Sequence, residues 1–199
     1  MSIAFDRFLK EYSATGHEKL DGYTLSNLDG LTAVEREQAI SLLKSEAPQF
    51  VGAYEPLARL SPAAALEVLL LIEQDQPRSE FRAAYALYYW LWKLTGQEDY
   101  EKKFVESRRS VPNSSLPAYF AYAAQMAESR HIEMMLEGAV LSETDETAVG
   151  SAARTLLNKH GFSRENPATK AEYLALWRTL TEGAPAQKIA ILSRLKSGS

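Results

Sequence analysis

Apolar side chains recur along this chain at the three- and four-residue spacing of one helix face, not at the two-residue alternation of a strand. Phe5, Phe8, Leu9 and Tyr12 form a stripe on a first helix. Ala39, Ile40 and Leu43 form another within 33–45, and Leu57 and Leu60 end a shorter helix near 49–60. The same spacing predicts helices over 62–75, 79–95, 98–109, 115–128, 130–140, 146–159, 168–181 and 186–196. Tyr23 to Leu28, bounded by Asp21-Gly22 and Asp29-Gly30, is a short extended or loop piece. Nowhere do apolar and polar residues alternate with β-branched enrichment around a hairpin turn.

Helix boundaries are written into the punctuation. Thr32 with Glu35 is a capping box, in which each side chain bonds the other's free backbone N–H. Ser61-Pro62 and Asn166-Pro167 set a capping side chain before a proline suited to the first helical position. Gly96 and Gly161 fall where a left-handed helix stop is needed, and Gly183 with Pro185 separates the last two helices. Leu31-Thr32, Leu60-Ser61 and Leu141-Ser142 each place a leucine before a capping hydroxyl, a faint repeat. The expected fold is all-α. It is a single domain over 1–196 of antiparallel helical hairpins, an α-solenoid or an irregular helical array, with a flexible tail at 197–199.

Residues 79–95 are the most informative helix. At about 100° per residue, Phe81, Ala84, Tyr85, Tyr88 and Trp92 share one face, and Ala83, Leu87, Trp90, Leu91 and Leu94 the opposite one. A helix apolar on two sides must be covered on both, so it is expected to lie centrally. Arg82, Ala86, Tyr89 and Lys93 occupy the remaining stripe, so Tyr89 is expected on the only wet strip, flanked by cations. Tyrosine and arginine are favoured interface anchors. Over 115–128, Tyr119, Tyr122 and Met126 make one stripe and Phe120, Ala123, Ala124 and Ala127 the other. With Met134 and Met135 they make either core or a soft binding wall.

Composition removes several function classes. The 199 residues contain no cysteine, which excludes disulfides, thiolate catalysis and Cys-ligated metals. Lys and Arg number 22 against 26 Asp and Glu, a net charge of −4, so no basic excess favours nucleic acid. The longest apolar stretch, Leu66 to Ile72, is too short to span a membrane and contains Glu67. The first residues lack a signal layout, so a cytoplasmic location is expected. His17, His131 and His160 are far apart, and no second histidine stands at helical spacing from any of them. No zinc motif, nucleophile elbow or glycine-rich phosphate loop occurs. No catalytic residue, metal or cofactor is therefore expected, and the chain reads as a non-enzyme.

Residues 31–95, from Leu-Thr-Ala-Val-Glu-Arg-Glu-Gln-Ala-Ile through Tyr-Trp-Leu-Trp-Lys-Leu, resemble a degenerate pair of HEAT-type hairpins. In particular they resemble the helical-repeat immunity proteins that bacteria encode beside secreted toxins. That resemblance implies a HEAT-like array that binds a cognate protein toxin and occludes its active site, with neither nucleic acid nor membrane as partner. An acidic inhibitor suits a basic toxin such as a nuclease. The candidate contact residues come from the chain itself. They are Arg82, Tyr89 and Lys93 on the polar stripe, the acidic run Glu143, Asp145 and Glu146, and Glu35 with Glu37 in another acidic first turn. The alternative is a helical bundle that binds a small molecule, or acts on one, in an aromatic- and Met-lined cavity.

Overall fold

The computed structural model describes residues 1–20, 22–75 and 84–197. It is 79% helical, with twelve α-helices and no strand among the described residues. No described helix is long and apolar enough to cross a membrane. The chain divides into two compact units, Met1–Tyr100 and Glu101–Ser199.

The first unit contains α1 (Ile3–Ser13), α2 (His17–Leu20), α3 (Ala33–Glu46), α4 (Tyr54–Leu60), α5 (Pro62–Asp75) and α6 (Ala84–Thr95). Helix α1 buries Phe5 and Phe8, as its stripe requires. The capping box forms: Thr32 Oγ1 accepts from the Glu35 N–H at 3.4 Å, and Glu35 accepts from the Thr32 N–H at 3.0 Å. Helix α3 buries Ala39 and Leu43 and packs on α4 and α5. Ser61 starts α5 by accepting from the Ala64 N–H at 3.2 Å. Ala84 through Leu91 of α6 are all buried, including Ala86 and Tyr89 of the stripe expected to be wet, and Gly96 ends the helix at φ +68°. Residues 79–83 of the expected helix lie outside the described residues.

Helix α7 (Glu98–Ser107) begins in the first unit and ends in the second, which continues with α8 (Leu116–Gln125), α9 (Arg130–Ser142), α10 (Glu146–Lys159), α11 (Lys170–Glu182) and α12 (Pro185–Ser197). Helix α10 is the middle of this unit and packs against α8, α9 and α11. Its small residues Ala148, Ala152 and Ala153 are buried, so neighbouring backbones approach closely, and Leu156 and Leu157 fill the far end. Tyr119, Phe120 and Met126 are buried too, with Tyr119 stacked on Phe104 at 4.7 Å. Tyr119, Phe120, Ala123 and Met126 of the 115–128 stripes are therefore packed core, while Tyr122 and Ala127 are half-buried, Ala124 is exposed and Met134 is 59% exposed.

Two local expectations need correction. Ser142 is not a helix cap: it is the last residue of α9, its hydroxyl donates to the Gly138 carbonyl at 2.7 Å, and α10 is capped by Asp145. The Asn166-Pro167 pair does not open α11, which starts at Lys170. Asn166 instead folds back on its own turn, where its Oδ1 accepts from the Ala168 N–H at 3.0 Å.

Candidate functional site

The second unit builds a polar cleft from α10, α11 and the loop between them. Helix α10 ends in a full left-handed stop. Gly161 sits at φ +82°, its N–H donates to the Asn158 carbonyl at 3.1 Å, and the Phe162 N–H donates to Leu157 at 3.0 Å. The chain then closes a small loop. The Ser163 N–H donates to Thr169 Oγ1 at 3.2 Å, and that hydroxyl donates back to the Ser163 carbonyl at 3.2 Å. Arg164 and Glu165 are carried on this loop.

Trp177, four residues beyond Tyr173 on α11, faces the backbone of α10. Its Nε1–H donates to the Gly150 carbonyl at 3.3 Å. A Cβ at Gly150 would lie 3.5 Å from Trp177 Cζ2, ordinary contact, so the indole rests on the helix where α10 has no side chain.

The resulting cleft has a volume of about 370 Å³. Thr147, Ser151, Arg154 and Asn158 of α10 line it, with Arg164 and Glu165 of the loop and Tyr173 and Trp177 of α11. A second cleft of about 290 Å³ shares Trp177 and Glu146 with the first, and is further lined by Glu143, Thr144, Val149, Thr181, Glu182 and Lys188. The indole thus stands between two adjoining depressions.

Neither Arg154 nor Arg164 forms a hydrogen bond or ion pair with a described residue. Several other cations of this unit are occupied, whereas Arg109, Arg130, Lys170 and Arg178 have no such partner among the described residues either. Arg108 pairs with Glu143 at 2.7 Å, Lys159 with Glu133 at 3.0 Å and Lys196 with Glu137 at 2.8 Å, while Lys188 donates to the Val140 carbonyl at 3.0 Å. Glu165 is held below the ordinary carboxylate range, first by the Ser163 hydroxyl at 2.7 Å, then by its own backbone N–H, and further by the two arginines. The Tyr173 hydroxyl is pushed up by burial, which outweighs the opposing pull of Arg154 and Arg164. The cleft therefore offers guanidinium and amide donors beside two aromatic faces.

The chain matches no protein family, no curated protein and no solved structure. What the cleft does must come from its own chemistry.

The residues singled out from sequence do not converge on one place. Arg82 lies outside the described residues. Tyr89 is 1% exposed, which corrects the expectation of an aromatic on a wet strip. Its hydroxyl accepts from Lys93 Nζ at 3.0 Å, and its ring meets the edge of Trp90 at 5.4 Å, so ring and hydroxyl are satisfied inside. Lys93 is exposed and spans from that hydroxyl to the Trp90 face, 4.7 Å from its centroid. Glu143 is taken up by Arg108, and Asp145 caps α10 by accepting from the Ala148 N–H at 3.0 Å. Glu146 is exposed and borders both clefts. Glu35 is 7% exposed and spends its oxygens on Ser2 and Thr32, while Glu37 is exposed on α3.

The histidines stand apart. His17 is exposed on α2, His131 Nδ1 lies 3.6 Å from Glu101 and His160 Nε2 lies 3.6 Å from Glu133. Among the described residues no three His, Asp or Glu side chains are grouped to hold a metal ion.

Of the residues lining the two clefts, only Glu143 and Glu146 came from the sequence. The available signal was the Tyr173–Trp177 pair, one helical turn apart, with a glycine in the preceding helix to receive the indole. Nothing in the spacing of Arg154 and Arg164 joins them, because the stop at Gly161 folds one back toward the other.

Proposed function

We propose that this chain is a non-catalytic protein-binding module whose binding element is the Trp177 region of the second unit. The observation that carries the reading is the pair of adjoining clefts with Trp177 between them. A closed pocket suits one small ligand, whereas two open depressions on either side of an indole suit an extended segment of a partner protein. Tryptophan and arginine are the side chains most enriched among residues that dominate binding energy, and both are present without competing partners for the guanidiniums. In its most concrete form the module is an immunity protein that occludes a cognate toxin. The all-α fold and the resemblance carried by residues 31–95 support that form.

A second reading places a small molecule in the larger cleft. The convergence of Arg154, Asn158 and Arg164 on one volume favours it.

The deciding experiment is affinity capture with the tagged full chain, followed by light scattering of the purified complex. One partner protein at a fixed stoichiometry is expected. Absence of any stoichiometric partner, together with a small molecule retained through purification, would overturn the first reading in favour of the second.

A further inference from the structure

We infer that the larger cleft recognises an anionic oxygen group, a carboxylate or a phosphate, attached to an apolar or aromatic carrier. This rests on the reading of the chain as a binding module and names what its cleft binds. Arg154 and Arg164 approach from different elements, a helix and the loop after it, and both line the same volume. Each guanidinium carries a planar fork of donors that fits a carboxylate or phosphate edge. Neither fork is used by a described residue, although Glu165 lines the same cleft. Glu165 is bound instead by the Ser163 hydroxyl at 2.7 Å and returns its own N–H to Ser163 Oγ at 3.2 Å. Glu165 thus makes its hydrogen bonds to Ser163, while the charges of Arg164 and Arg154 still act on its carboxylate. The two forks are left for a visiting anion, in a cleft that the carboxylates of Glu146 and Glu165 also line.

Asn158 adds an amide donor on the same helix face as Arg154, four residues on. Tyr173 and Trp177 supply the wall for the carrier. A bare anion would gain from the arginines but leave the indole uncovered. A neutral aromatic would cover the indole but leave the forks unused. The arrangement selects for both features together.

The test uses the full chain and three probes: benzoate, phenyl phosphate and the neutral isostere benzamide. The readout is the Trp177 indole N–H resonance, identified by its loss in Trp177→Phe. Benzoate or phenyl phosphate is expected to shift this resonance saturably, and the tighter of the two identifies the source of the anion. Benzamide is expected to bind at least about tenfold more weakly, since it lacks the charge-assisted hydrogen bonds. Arg154→Gln and Arg164→Gln, both at exposed positions, are each expected to weaken the anion about tenfold or more while circular dichroism stays unchanged. Equal binding of benzamide, or anion binding untouched in both variants, would overturn the inference. If both variants abolish benzoate binding but leave capture of a protein partner intact, the module reading stands and the assignment of this cleft to that partner falls.

Discussion

Glu35 Oε1 accepts the backbone N–H of Ser2 at 2.6 Å, across 33 residues of chain. The other oxygen, Oε2, accepts the Ser2 hydroxyl at 2.9 Å and the Thr32 N–H at 3.0 Å. Ser2 Oγ in turn accepts the Phe5 N–H at 3.1 Å. One carboxylate therefore finishes the first turns of both α1 and α3 and ties them together.

These donors, Thr32 first and Ser2 next, lower the Glu35 pKa to about 2. A carboxylate depressed in the folded state contributes stability above its unfolded pKa, and loses that contribution as pH falls through the folded value. The expected window lies between the ordinary range near 4.5 and about 2. Glu35→Gln should be less stable than the parent at pH 7, and the gap should close progressively below pH about 4. Urea midpoints across that range check it; a gap independent of pH would show that the carboxylate's charge contributes nothing.

Lys19 sits in an aromatic enclosure of the first unit. Its Nζ lies 5.1 Å from the Tyr12 ring, 4.8 Å from Tyr23 and 5.2 Å from Phe50, and pairs with Glu46 at 2.5 Å. It also donates to the Tyr12 carbonyl at 2.8 Å. Tyr23 bonds the same glutamate, and burial, followed by that bond, pushes its hydroxyl pKa up. Removing the ammonium leaves Glu46 half-buried without its cation. Lys19→Met should cost about 1–3 kcal/mol. In a cycle with Glu46→Gln the two losses should be strongly non-additive. Simple additivity in denaturant unfolding would mean the pair is not coupled.

Tyr89 now predicts a stability effect, not a binding one. Tyr89→Ala should destabilise by about 3–5 kcal/mol, in line with other large aromatic truncations in cores. Tyr89→Phe removes the acceptor for Lys93 and should cost about 1 kcal/mol. Thermal melts of the two variants separate the ring from the hydroxyl; equal losses would assign the whole effect to the hydroxyl.

Gly138 lies inside α9, and a Cβ added there meets nothing within 4 Å. Gly138→Ala should raise stability by about 0.5–1 kcal/mol, because alanine loses less backbone entropy in a helix. A lowered melting temperature would show that the position is not open.

Helices with long apolar stripes were legible in the chain, and their bounds at Pro62–Asp75 and Glu146–Lys159 coincide with the spacing and the caps. The wet strip on α6 was not, because a helical wheel assumes that a polar flank faces water. Here Lys93 satisfies the Tyr89 hydroxyl from within the same helix, and the ring goes inside. Acidic runs proved equally ambiguous. Glu35, Glu143 and Asp145 are each consumed by a cap or an ion pair, and only the tertiary partner reveals this. The cleft escaped for a related reason. It depends on a turn that brings Arg164 back beside α10, and on a tryptophan seated against a glycine 27 residues earlier.

The central claim is that the Trp177 region binds a partner. The most direct measurement is equilibrium affinity for the captured partner in Trp177→Ala and in Arg164→Glu, with helicity confirmed by circular dichroism. A central tryptophan contributes about 2 kcal/mol or more when desolvated, so Trp177→Ala should weaken binding roughly thirtyfold or more. The exposed loop variant Arg164→Glu should weaken it about tenfold or more without touching the fold. Parent-like affinity in both folded variants would contradict the account.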